Sequence, residues 1–319
     1  MQHRYIASLV LVLLIAASSV AQKSDPNKFA VIINGPGGEP AYTKQFAEWT
    51  ADLNSVLSER YGFAPKQIKL LSDKQATAED VKRTFASLKS ELADGNVLYL
   101  FLIGHGSFDG KEAKFNLVGP DLSASDYNQL LSALPTRRIV VFNMSSASGE
   151  FVKPLSAKGR IIVTATRNGQ ETNATRFAGF FINALKATDG DTDQDGHTSV
   201  LEAFVYATRL TDDFYKRAGR LSTEHALIDD NGDGVGREKA EAGEGLLARA
   251  TYLDSLSVDE AAATAATGRL LKERTRLEGE IEQLIARKAS MPEAEYETTL
   301  ERLFIELAKV NRSIKQAGS

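Results

Sequence analysis

Asn96-Val97-Leu98-Tyr99-Leu100-Phe101-Leu102-Ile103-Gly104-His105-Gly106-Ser107 is the stretch on which the fold turns. An almost fully apolar run from Asn96 to Ile103 reads as a strand with both faces buried, which requires a sheet covered by helices on either side. The run stops at Gly104-His105-Gly106, so a histidine sits at the carboxyl end of the strand, the usual place for a site in such sheets. Its flanking glycines let the backbone turn and approach a ligand closely.

Similar signals alternate in both directions. Phe29 to Ile33 reads as a buried strand ending in the turn cluster Asn34-Gly35-Pro36-Gly37-Gly38. Tyr42 to Tyr61 carries Phe46, Trp49, Leu53, Val56 and Leu57 at helical spacing, Ile68 to Leu71 is a short strand, and Thr77 opens a helix through Leu92. Beyond the histidine, a helix is expected over Ala124 to Leu134, strands over Ile139 to Phe142 and Arg160 to Ala165, and a helix over Thr175 to Ala187. Strands alternating with helices predict an α/β domain of three layers around a mostly parallel sheet, spanning residues 22–255. From residue 256 the pattern changes. Leu270, Leu277, Ile281 and Leu284 form one stripe, Tyr296, Leu300, Leu303, Leu307, Val310 and Ile314 another, and Ser290-Met291-Pro292 separates them. Residues 256–319 are therefore expected to form a helical hairpin. Docking on its own domain, self-association and binding of a partner helix are all open to it.

The beginning of the chain predicts export. His3 and Arg4 precede an apolar run from Tyr5 to Ala17, and Ser19 and Ala21 fit a small-x-small cleavage site, so residues 1–21 read as a signal peptide. The run is too short to span a membrane comfortably, which favours a periplasmic or secreted product with no stable membrane anchor after cleavage. A formal charge of -4 and a pI near 5.7, with no basic run interleaved with aromatics, give no basis for nucleic-acid binding. The chain has no cysteine, hence no disulfide and no thiol nucleophile.

Ile139 to Phe142 ends in Asn143-Met144-Ser145-Ser146-Ala147-Ser148-Gly149. Taken with the histidine strand, this resembles the caspase-like cysteine peptidase clan, and the legumain family in particular. In that pattern a strand ending in His-Gly supplies the general base, and the next strand ends in a nucleophilic Cys before a small Ser-Gly turn. Ser146-Ala147-Ser148-Gly149 matches Cys-x-Ser-Gly except at its first position, and the separation, 146 - 105 = 41 residues, is of the expected order. The resemblance covers about residues 28–190. It implies a caspase-like fold, His105 as base, Ser146 at the nucleophile position, the amides of Gly106 and Ser146 as oxyanion hole, and a polypeptide as ligand. By the same resemblance, Thr164 to Arg167 would wall the first specificity pocket, and His225-Ala226-Leu227-Ile228-Asp229-Asp230 would line the cleft. A glycine-rich surface loop is an equal reading of the latter. Glu171 reads as an acceptor for a basic side chain or, more plainly, as a solvated loop charge.

The departure from the pattern decides the activity expected. A thiol of pKa about 8.5 is partly ionised at neutral pH, whereas a serine hydroxyl needs a histidine that a carboxylate holds in the right tautomer. Asp109, Asp121 and Asp126 are candidates for that acid by chain proximity alone. The expectation is an exported peptidase homologue without catalysis, binding polypeptide or serving as an interaction module. Two alternatives remain open: a working hydrolase with Ser146 attacking and His105 as base, and a scaffold that presents the C-terminal hairpin.

Residues 191–202 follow the twelve-residue EF-hand loop, with Asp191, Asp193 and Asp195 as monodentate ligands, Gly196 at the sharp turn, the His197 carbonyl, Ser199 at the water-mediated position and Glu202 as the bidentate carboxylate. Ca2+ is the expected ion, since the ligands are numerous hard oxygens on a flexible loop. The plainer reading is an acidic turn that caps the following helix. A second cluster at residues 229–236 begins similarly but has Ala240 where the bidentate carboxylate belongs.

Overall fold

The computed structural model describes residues 24–192, 197–240, 244–253 and 287–317, with scattered positions between 270 and 284. The expected signal segment 1–21, the first part of the expected hairpin, and Asp193 and Asp195 lie outside the described residues. In chain order the elements are β1 (Lys28–Asn34), α1 (Pro40–Glu59), β2 (Ile68–Leu71), α2 (Ala78–Glu91), β3 (Val97–Ile103), three short strands β4 (Gly106–Phe108), β5 (Ala113–Phe115) and β6 (Leu122–Ser123), and α3 (Ala124–Ser132). There follow β7 (Arg138–Asn143), α4 (Val152–Leu155), β8 (Arg160–Thr164), α5 (Phe177–Lys186), α6 (Val200–Arg217), β9 (Leu227–Asp229), α7 (Leu246–Arg249) and a last helix, Glu293–Ala317.

The main sheet runs β2-β1-β3-β7-β8-β9, parallel throughout except for the antiparallel edge strand β9. Every residue of β3 is buried, and its side chains divide between two cores. Tyr99, Phe101 and Ile103 join Phe46 and Leu53 of α1, Phe181 of α5 and Phe204 of α6 on one face. Leu98, Leu100 and Leu102 join Val81 and Phe85 of α2 and Tyr127 of α3 on the other. The protein is thus an α/β sandwich with helices on both faces of a mostly parallel sheet, and the uninterrupted apolarity of β3 follows from having no face toward water.

Three features depart from the sequence expectation. The small antiparallel sheet β4-β5-β6 fills the segment after His105, where no strand was expected. Residues 227–229, which read equally as cleft lining or as surface loop, form the buried strand β9 against β8. Helix α5 begins at Phe177 rather than Thr175, because the Thr175 hydroxyl donates to the Met144 carbonyl (2.6 Å) and the Arg176 amide donates to the Glu224 carboxylate (2.8 Å). Toward the C-terminus, Leu277, Ile281 and Leu284 pack with Tyr296 and Leu303 in a small core of their own.

Candidate functional site

The parallel register places the ends of β3 and β7 side by side, with Leu102 opposite Asn143. His105 and Ser146 therefore stand at neighbouring strand tips. Gly106 lies against the Ser146 turn so closely that a Cβ there would meet the Ser146 carbonyl oxygen at 2.4 Å, which restricts position 106 to glycine. The turn itself is tight. Asn143 Oδ1 accepts from the Ser145 amide (3.2 Å) and hydroxyl (2.7 Å), and Ala147 lies in the left-handed region with φ +54, a conformation that costs a non-glycine residue about 1 kcal/mol. Ser148 then closes the turn onto β8: its hydroxyl accepts from the amides of Ala165 (3.1 Å) and Thr166 (3.2 Å).

Neither of the two central side chains engages the other. Ser146 is 2% exposed, and its hydroxyl is locked to the main chain of Gly106, accepting from its amide and donating to its carbonyl, each at 3.0 Å. His105 turns the opposite way: Nε2 lies 3.2 Å from the Gly37 carbonyl, and the ring packs edge-on against Tyr42 (5.2 Å) and Phe46 (5.1 Å). The Gly106 amide, expected as an oxyanion donor, is thus occupied by Ser146 itself. None of the three aspartates suggested by chain proximity orients the histidine. Asp109 receives the amides of Lys111 and Glu112, Asp121 receives that of Leu117, and Asp126 forms a capping box with Ser123 at the start of α3.

A histidine with an orienting carboxylate does exist at these tips, and it is His225. Its Nδ1 meets Glu171 Oε1 at 2.5 Å, while Glu171 Oε2 accepts the amides of Arg167 (2.9 Å) and His225 (3.1 Å). The Glu171 side chain is only 11% exposed and also pairs with the Arg167 guanidinium at 3.3 Å, so it is not a solvated loop charge. Its backbone carbonyl accepts the Ala147 amide at 2.8 Å, joining this cluster to the Ser146 turn. The pair is 54 residues apart in sequence, and only the antiparallel return of β9 beside β8 unites it. No local signal could have found it.

In the loop 191–202, Glu202 spans the ends. Oε1 accepts the amide (2.9 Å) and hydroxyl (3.1 Å) of Thr192, and Oε2 accepts the amide (2.9 Å) and hydroxyl (2.8 Å) of Ser199. Ser199 in turn accepts the Glu202 amide, completing a capping box for α6. Within the loop, His197 packs edge-on against Tyr252 at 5.8 Å. The strand-like segment at Ser199 pairs with Tyr252, through the Leu253 amide to Thr198 (3.0 Å) and the Val200 amide to Thr251 (2.8 Å).

The second acidic loop is joined by a residue from beyond its local sequence. Glu244, buried, brings a carboxylate to Asp229 and Asp233, with oxygens of all three within 4.8 Å of one another. Arg237 sits among these acids, donating to Asp233 (2.7 Å), to the Val235 carbonyl (2.9 Å) and to Glu244. The guanidinium holds Asp233 down to about 2. Burial, reinforced by Asp230 and Asp229, pushes Glu244 up to about 7.

No protein family matches this sequence, and no curated protein does. Among solved structures the chain is similar to a protein of Geobacter sulfurreducens, at 16% identity and TM-score 0.45, over 64% of this chain and 93% of the other. It is also similar to the Drosophila initiator caspase Dronc, at 10% identity and TM-score 0.42 over 69% and 88% of the two chains. Caspase-1 from Spodoptera frugiperda gives 12% identity and TM-score 0.42 over 64% and 88%.

Proposed function

We propose that this chain is a catalytically silent relative of the caspase-like peptidases that binds polypeptide at the strand-tip cleft. The observation that carries the reading is the closed exchange between Ser146 and Gly106, in which the would-be nucleophile donates its hydrogen to a carbonyl and fills the would-be oxyanion donor. Attack would require breaking both bonds, each worth about 0.5–1.5 kcal/mol net, and turning a hydroxyl toward a histidine that faces Gly37 and has no carboxylate partner among the described residues. Recognition of a polypeptide then falls to the rim, where Arg167 is half exposed and His105 and His225 are partly exposed.

Purified protein is expected neither to cleave peptides nor to react with a fluorophosphonate. Ser146→Cys supplies an ionisable thiol and is the variant in which cleavage would emerge if the cleft remains competent. Labelling of wild type that disappears in Ser146→Ala would replace this reading with a serine hydrolase using His105.

The loop 191–202 is included in the proposal as a Ca2+ site that stabilises the fold. Support comes from the reach of Glu202 across the loop to Thr192, which aims its carboxylate at the loop's first residues. Asp191 and the His197 carbonyl would add ligands, with Asp193, Asp195 and Ser199 completing the set. Calcium is expected to raise the melting temperature, and Glu202→Gln to abolish the rise. Equal melting with and without the ion would remove calcium from the account. The proposal includes export through residues 1–21 and predicts a mature N-terminus at Gln22, which N-terminal sequencing of the secreted product reads directly.

A further inference from the structure

Away from the strand tips, α1, α5 and α6 line a groove of about 300 Å³ that is open to solvent on one side, at the lower end of the range of roughly 300–1,000 Å³ typical of small-molecule sites. Trp49, Phe180 and Phe214 provide aromatic wall, and Glu48, Asp52 and Arg176 provide charge. Gly179 makes room for the indole: a Cβ at that position would lie 3.0 Å from three atoms of the Trp49 ring.

The charges differ in how far they are already committed. Asp52 is paired with Lys186 at 2.8 Å. Glu48 has a loose partner in Lys44 at 3.8 Å, with both side chains exposed. Arg176 lies over the Phe214 ring at 5.2 Å and makes no ion pair among the described residues. Its backbone is anchored, because the amide donates to Glu224, so the guanidinium extends from a fixed point. A guanidinium and a carboxylate, neither held by a strong partner, thus share one aromatic-walled groove.

We propose that this groove binds a zwitterionic small molecule of the amino-acid class, with its carboxylate on Arg176, its ammonium on Glu48 and an apolar side chain against Trp49, Phe180 and Phe214. A simple anion would be opposed by Glu48, since Asp52 is already paired with Lys186, and a simple cation by Arg176. A zwitterion meets both signs favourably. Guanidinium suits a carboxylate through two parallel hydrogen bonds, and an ammonium beside an indole face gains a cation–π contribution. Trp49 packs on Phe46 at 5.8 Å, and Phe46 on His105, which puts the groove two aromatic contacts from the strand-tip histidine. The proposal stands apart from the reading of Ser146.

Trp49 is the single tryptophan of the chain, so its emission reports on the groove directly. The test is a fluorescence titration of the full chain with L-phenylalanine and L-leucine, beside N-acetyl-L-phenylalanine and L-phenylalanine amide. The expected result is a saturable change with a free amino acid, with affinity in the range of roughly 1 mM or tighter. Each blocked form, and each of Arg176→Gln and Glu48→Gln, is expected to bind about tenfold more weakly. Both substituted side chains are exposed, and circular dichroism confirms that the variants stay folded. Absence of saturation with either amino acid overturns the proposal. So does undiminished binding of a blocked form, or unchanged affinity in both variants.

Discussion

The Ser146 hydroxyl and the Gly106 main chain exchange hydrogen bonds in both directions, so this hydroxyl is part of the backbone network at the tips of β3 and β7. Beside it, Glu171 accepts the Arg167 amide, the His225 amide and the His225 ring, and is the one acid of this cluster buried close to the turn. Removing such an acceptor leaves donors unsatisfied at a cost of about 1–3 kcal/mol. Glu171→Ala is accordingly expected to cost about 2 kcal/mol in urea denaturation. In a double-mutant cycle with His225→Ala, the pair is expected to show a coupling of about 1 kcal/mol or more. Additive losses would mean that the two side chains stabilise the fold independently. Position 146 was singled out by a resemblance carried on four residues, Ser146-Ala147-Ser148-Gly149. The orientation of its hydroxyl was not, because that depends on where the Gly106 backbone passes.

Helix α5 illustrates how a distant residue can set an element's boundary. Its first amides have no side-chain cap of their own; Arg176 and Phe177 donate to Glu224, and the Tyr215 hydroxyl donates to the same carboxylate at 3.0 Å. Burial raises the Glu224 carboxyl above its ordinary value, and these donors offset only part of the effect. In the window between the ordinary carboxylate value and the raised one, the native state holds more protons than the unfolded chain. Stability attributable to Glu224 is therefore full below the ordinary value and is lost as pH rises through the native one. Melting temperature should decline over that window, and Glu224→Gln should flatten the decline while lowering stability at low pH. The same slope in the variant would assign the effect elsewhere. By contrast, the starts of α3 and α6 were legible, because Ser123 with Asp126 and Ser199 with Glu202 are capping boxes written within four residues.

Across the whole molecule, the stacked rings of Phe101 and Phe142 (5.0 Å) and the neighbouring Phe181 (4.5 Å from Phe142) occupy the centre of the sheet's inner face. The cluster of Leu277, Ile281, Leu284, Tyr296 and Leu303 is separate from both sheet cores. Phe142→Ala is expected to destabilise the main transition by about 3–5 kcal/mol. Leu303→Ala should raise hydrogen exchange in residues 293–310 and leave the β3 amides unchanged. Loss of protection in β3 from that substitution would show that the two cores unfold together.

The sequence by itself determined the α/β alternation, the doubly buried β3 and the lack of a thiol, since apolar runs, helical spacing and composition are properties of short stretches, while the pairing of His105 with Ser146 was implied by the resemblance their motifs carry. Only the tertiary structure decided that Ser146 bonds to Gly106, that the carboxylate-held histidine is His225, and that Glu244 joins the second acidic loop. Each of those outcomes depends on the direction in which a chain returns to the sheet, and hydrogen bonds acting over about 3 Å register that path while local pattern does not.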